Sequence, residues 1–335
     1  MSSKALIGTR SNEDLPSRGS GPRIGLALGG GGARGLAHVL MIEALEELGI
    51  VPTAIAGTSI GAIYGAALAS GLSAAHIRAH TEEILSQRLD LVRQLFLSRA
   101  ESVQRLFNLV PIRPALLNPE TLLDYVLPSR VPSDFAALKI PLAVVATDFY
   151  AQEAVVMSRG GLRHAIAASM ALPALFRPVV NEGRALVDGG LVNPLPFDLL
   201  AGAVDIVVAI DVSGASRKPM NGNGPSAWEA LLSSSQILQR SIVREKIKSA
   251  QPDIYIDVDV DQFTVLDFHR FREILKASAP AKDKLKRQLE RVLGSVTVPL
   301  AAPPEEPALA KPAERPRLTT RLAARVGKKA RGKKS

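Results

Sequence analysis

Short unbroken apolar runs alternate along this chain with longer stretches in which apolar residues recur every three or four positions. The runs are Arg23-Ile24-Gly25-Leu26-Ala27-Leu28, Thr53-Ala54-Ile55-Ala56, Ile140-Pro141-Leu142-Ala143-Val144-Val145-Ala146-Thr147, Ala185-Leu186-Val187, Asp205-Ile206-Val207-Val208-Ala209-Ile210-Asp211 and Ile254-Tyr255-Ile256-Asp257-Val258. Runs of this kind are typical of strands buried on both faces. Helical periodicity is strongest at 35–48, 59–70, 73–87, 226–249 and 281–293. Strands separated by helices predict an α/β protein: a three-layer α/β/α sandwich around a mostly parallel central sheet. In 88–135, Leu91, Val92, Leu95, Phe96, Leu106, Phe107 and Leu109 stand among basic residues. Core packing is the favoured reading there, over a flap covering a site.

The candidate chemistry sits where these rhythms change. Gly57-Thr58-Ser59-Ile60-Gly61 lies between an apolar run and a helical stretch, with small residues two positions either side of the serine. That is the pattern of a nucleophile elbow, a strained turn that exposes a serine above a helix N-terminus. Close strand–helix packing alone can also select small residues around a serine. A second element lies upstream, where the first run enters Gly29-Gly30-Gly31-Gly32-Ala33-Arg34-Gly35. Successive glycine N–H groups can converge on an anion, either a phosphate or a developing oxyanion. Residues 30–35 formally satisfy G-x-G-x-x-G, but the next strand ends Ala56-Gly57-Thr58-Ser59 without the acidic residue that a dinucleotide ribose requires. No Gly-Lys-Ser/Thr follows, so a P-loop is rejected as well. The third element, Asp188-Gly189-Gly190, follows a short apolar run and reads either as a turn aspartate or as a carboxylate presented at a strand end.

Together with Ala168-Ser169-Met170-Ala171-Leu172-Pro173, these motifs give the chain a resemblance over roughly residues 23–215. It resembles the patatin-like phospholipases, in particular bacterial members related to the neuropathy target esterase catalytic domain. The resemblance implies a patatin-like fold, a Ser59–Asp188 catalytic dyad and an oxyanion hole from the backbone of Gly30, Gly31 and Gly32. Arg34, Gly35, Gly57, Gly61, Gly189 and Gly190 are the supporting motif positions. It implies no metal and no organic cofactor, and a lipid or other acyl ester as substrate. One departure is Phe149-Tyr150-Ala151-Gln152 after Ala146-Thr147-Asp148, where relatives often carry Thr-Gly.

The histidines agree with a dyad. Of five, only His269 follows Asp188, as a Ser…Asp…His order would need, and it lies among charged residues with no glycine turn to present it. His38 and His164 are given no proton-transfer role. Asp257-Val258-Asp259-Val260-Asp261 imitates the start of a calcium loop, but Gln262 and Phe268 occupy the positions that need glycine and glutamate. Two other classes stay open at this point: a nucleotide- or phosphate-binding protein using the glycine loop, and a catalytically inactive basic-tailed scaffold.

Composition narrows the setting. With 335 residues, 47% of them hydrophobic, the chain can bury one large core. Absent cysteine excludes disulfides and thiolate metal sites. No apolar span of about 18 residues predicts a membrane-crossing helix. Residues 1–22 are polar, expected to be disordered, and carry no export signal. Residues 23–297 are expected to form the acyl hydrolase domain, and 298–335 a Pro/Ala-rich linker and basic disordered tail. Within 311–335 there are ten Lys and Arg against one acid, Glu314, so this stretch carries the whole formal charge of +9. Such an arm suits a polyanion. Peripheral contact with anionic membrane is slightly preferred over nucleic acid, alongside a plain solubilising role. The expected location is cytoplasmic, peripheral on the inner membrane surface if the tail binds lipid, and no feature fixes the oligomeric state.

Overall fold

The computed structural model describes residues 21–87, 117–214 and 227–297. The segments 1–20, 88–116, 215–226 and 298–335, and with them most of the 88–135 stretch read as core packing and the whole basic tail, lie outside the described residues.

Among the described residues eight strands form one mixed sheet. They are β1 (Ile24–Leu28), β2 (Ala54–Thr58), β3 (Leu142–Asp148), β4 (Glu153–Met157), β5 (Val179–Asn181), β6 (Arg184–Asp188), β7 (Ile206–Asp211) and β8 (Ile254–Asp257). The order is β5-β6-β3-β2-β1-β7-β8, with β4 also paired to β3. Strands β3, β2, β1, β7 and β8 run parallel, and β4, β5 and β6 join antiparallel. Among the described residues seven helices accompany them: α1 (His38–Glu47), α2 (Ile60–Ala69), α3 (Ala74–Gln87), α4 (Pro119–Val126), α5 (Leu162–Ser169), α6 (Ala227–Ser249) and α7 (Phe271–Thr297).

Alternation along the parallel strands explains the two helical layers. Leu26, Leu28, Ile55, Leu142, Val144, Val208, Ile210 and Ile256 point to one side and pack with α1, α2, α3, α5 and α7. The other side is lined by small residues, Ala27, Ala54, Ala56, Ala143 and Ala209. Val243 of α6 and the Leu195–Leu200 segment cover it. Strands buried on both faces carry polar residues only at their ends, as at Thr58, Thr147, Asp148 and Asp211, hence the unbroken apolar runs.

Three elements differ from the sequence expectation. α7 begins at Phe271 rather than 281, running through Pro280. Proline removes only the N–H that would reach Lys276, and Ile274, Leu275 and Leu285 on the same helix are buried, so packing overrides the break. Strands β4 and β5 were not expected; they are short and partly exposed and lack a clean apolar pattern. The departure at residues 149–152 is the β3–β4 turn. Asp148 Oδ1 accepts the N–H groups of Tyr150 and Ala151, and Gln152 sits at φ 58, a conformation that suits glycine.

Candidate active site

The sheet register brings two strand ends together. Val144 and Val145 of β3 pair with both β2 and β4, so these two occupy opposite edges of β3. Ala146 and Asp148 pair with both β4 and β6, so β6 shares the edge used by β2. β2 ends with Thr58 opposite Val145, and β6, running the other way, ends with Asp188 opposite Ala146. The residue after β2 and the last residue of β6 therefore meet head-on.

Ser59 is that next residue, at φ 55 and ψ −121, a strained conformation for a non-glycine residue. Its Oγ donates to Asp188 Oδ2 at 2.8 Å. Its N–H donates to Ser169 Oγ at 2.8 Å, and Thr58 Oγ1 donates to Asn193 O at 2.9 Å, so neighbours on both sides hold the turn. α2 crosses β1 closely enough that a Cβ on Gly61 would lie 2.1 Å from Leu28 O; one on Gly189 would lie 2.1 Å from Val145 O. Gly35 and Gly57 likewise mark crossings with no room for a side chain.

Asp188 is 4% exposed. Burial lifts its carboxyl from the ordinary carboxylate range to about 6, against the opposing pull of the Gly190 N–H (2.7 Å to Oδ1) and the Ser59 hydroxyl. A carboxylate tuned upward in this way is a better proton acceptor than a solvated aspartate.

The glycine loop lies beside the elbow, and its donors are not equivalent. Gly29 N–H donates to Ile210 O and Gly30 N–H to Pro194 O at 2.9 Å. The expectation that Gly30 supplies an oxyanion donor is thereby corrected, because its N–H is already bonded. Gly31 and Gly32 N–H groups reach no acceptor among the described residues, and both residues line the cavity next to Ser59. Arg34 does not face the cavity. It is buried, its Nε donating to Phe263 O at 2.8 Å and its Nη1 to Ser213 O, and it ties the loop to two neighbouring segments.

The cavity beside Ser59 is lined by Ile63 of α2, by Ile77, Ile84 and Leu85 of α3, and by Leu122 and Val126 of α4. Ile77 to Leu85 is eight residues, or ~12 Å of helix. No histidine bonds to the Ser59–Asp188 pair. His38 is buried with Nε2 donating to Gly29 O at 2.9 Å, and burial lowers its pKa to about 4, so it is neutral. His164 pairs with Glu120, while His80 lines the cavity with Nε2 bonded to Val126 O. Ser169, Asn193 and His38 were not anticipated as supports. Ser169 sits in the quoted 168–173 motif, which was the available signal; the other two contacts had none.

Fold and geometry together define an α/β/α protein with a strained serine on a strand-to-helix turn, paired to a buried aspartate beneath an apolar cavity. Comparison with known proteins agrees. The family model for patatin-like phospholipase matches residues 26–201. An uncharacterized NTE family protein of Mycobacterium tuberculosis is 36% identical over 208 residues, covering 62% of this chain and 54% of that protein. Patatin-like phospholipase domain-containing protein 7 of Rattus norvegicus is 28% identical over 279 residues, covering 76% of this chain and 20% of that one. The crystal structure of VipD from Legionella pneumophila superposes with a TM-score of 0.42 at 16% identity, covering 80% of this chain and 67% of that one. This chain belongs to the patatin-like phospholipase family. It spans about half the length of the mycobacterial relatives it matches (54%). Among the described residues no helix is long and apolar enough to cross a membrane.

Proposed function

We propose that the protein is a serine acyl hydrolase that cleaves carboxylic esters of lipids through a Ser59–Asp188 dyad. The observation that carries this reading is the 2.8 Å bond from Ser59 Oγ to a buried Asp188, at the mouth of a long apolar cavity. In the proposed reaction Asp188 Oδ2 takes the Ser59 proton as Oγ attacks the ester carbonyl carbon. The oxyanion is met by the N–H groups of Gly31 and Gly32. As the tetrahedral intermediate collapses, Asp188 gives the proton to the departing alcohol oxygen and an acyl-serine remains. Water then attacks the acyl carbon while Asp188 accepts its proton. Release of the fatty acid returns that proton to Ser59 Oγ. The apolar cavity along α3 takes the acyl chain.

Phospholipid, lysophospholipid and related acyl esters all fit this scheme. The nucleotide alternative gains nothing from the same geometry, because one loop N–H is spent on Pro194 and the adjoining cavity is largely hydrocarbon. The basic segment at 311–335 is proposed to add peripheral attachment to anionic lipid, each Lys or Arg near such a surface contributing ~1 kcal/mol. The test of the dyad is Ser59→Ala assayed on a p-nitrophenyl acyl ester. A loss on the order of 10⁴-fold in a protein of unchanged fold is expected. Near-wild-type turnover, with contaminating esterases excluded, would sink the assignment.

A further inference from the structure

One wall of the cavity differs from the rest. Ser235, Gln236 and Gln239 of α6 face it, and their spacing places them on one stripe of the helix. Gln239 is only 7% exposed, and what remains open of it faces the cavity. That amide lies beside the dyad: a methyl on Gly190 would sit 2.8 Å from Gln239 Nε2 and 2.9 Å from Asp188 Oδ1. Yet it makes no hydrogen bond with any of the described residues, although a carboxamide offers two donors and an oxygen acceptor. A polar group of this kind facing a cavity is suited to take its partner from the ligand.

The proposed chemistry says which half of the ligand that is. Asp188 must return a proton to the leaving oxygen, so the alcohol half of the ester departs on the Asp188 side. The acyl chain runs the other way, along α3. We propose that Gln239 is the specificity residue for the alcohol half, its amide bonding a free hydroxyl carried by that alcohol, as in a glycerol monoester. A neutral amide both donates and accepts, as a hydroxyl does, and Ser235 and Gln236 extend the same uncharged polar wall. This inference rests on the acyl-hydrolase reading.

The test compares two esters of one fatty acid, 1-monolauroylglycerol and methyl laurate, with the full chain, Gln239→Leu and Gln239→Met. The readout is the ratio of kcat/KM for the glycerol ester to that for the methyl ester. Both variants are expected to lower this ratio about tenfold, the value of one hydrogen bond to a substrate hydroxyl. Melting curves establish that each is folded, and methionine nearly preserves the length of glutamine should the leucine variant fail. An unchanged ratio in a folded variant overturns the proposal. Equal losses on both esters overturn it too, because Gln239 would then serve Asp188 rather than the alcohol. If the wild-type protein cleaves neither ester, the acyl-hydrolase reading fails first; if it cleaves both and the ratio does not move, only the role of Gln239 fails.

Discussion

At the ends of β1 and β2, two adjacent parallel strands leave the sheet through turns of opposite character. The turn after β2 forces one side chain outward: Ser59, held in positive φ by Ser169 on its N–H and by the Thr58–Asn193 bond beside it. The turn after β1 offers backbone only. Its ends are pinned by Ile210, Pro194, His38 and Val265, and two N–H groups in its middle meet no acceptor among the described residues. The first turn stores backbone strain to present an oxygen, and the second gives up side chains to present donors. They should therefore fail differently. The reactive groups of the elbow can be removed with little loss of stability, whereas a side chain at Gly31 or Gly32 would run into the backbone of Val212 or Val265 and disturb the packing around the loop.

The largest expected effect is that of Asp188→Asn. Turnover should fall on the order of 10⁴-fold, since the amide cannot accept the serine proton. Stability should move the other way. The Asp188 carboxyl titrates near 6 in the fold against 3.8 in its ordinary state, so the folded protein holds the proton more tightly. The stability that goes with this proton is fully present below pH ~4 and is lost as the pH rises through about 6. At about pH 8 the neutral asparagine should therefore melt higher, by on the order of 1–3 kcal/mol, and the gain should vanish near pH 4. Calorimetry at the two pH values checks it, and a variant destabilised at the higher pH would mean that burial does not dominate this carboxyl.

Gly31→Ala and Gly30→Ala sharpen the contrast within the loop. A Cβ on Gly31 would lie 2.6 Å from Val212 O, so the residue must shift and its open N–H with it. Activity should drop about 10²–10³-fold with a stability loss of about 1–3 kcal/mol. A Cβ on Gly30 meets nothing closer than Ser59 Cβ at 3.5 Å, an ordinary contact. Gly30→Ala should fold like the wild type. Denaturant titration of both, beside kcat, would break the comparison if the two variants lost equal stability.

Much of this architecture is legible in the sequence, for a physical reason. Four of the five parallel strands, β1, β2, β3 and β7, are buried along their whole length and so are mostly apolar, and the elbow and loop need glycine where chains cross. What stays hidden is contact across long separations. Nothing near Gly30 announces that Pro194 will take its N–H, and nothing near Asp188 points to Gln239 on α6. β5 is three residues long, too short for a pattern, and Pro280 masks the first turns of α7 because proline also favours helix starts.

A smaller effect is expected from Ser169→Ala. It leaves the Ser59 N–H without its acceptor and loosens the strained turn while touching neither reacting group. About a tenfold fall in kcat with little change in KM is expected, along with ~1–3 kcal/mol of stability. Ser169→Thr, which keeps the hydroxyl, should recover part of kcat. A change confined to KM would place Ser169 in substrate binding instead.

The most direct measurement of the central claim is covalent labelling by an alkyl fluorophosphonate, with the adduct located by peptide mass mapping and its rate followed against pH. The expected result is a single adduct on Ser59 whose rate of formation rises through a midpoint near pH 6, as Asp188 ionises, and collapses in Asp188→Asn. An adduct on another residue, or a Ser59 adduct that forms equally fast without the Asp188 carboxylate, would contradict the account.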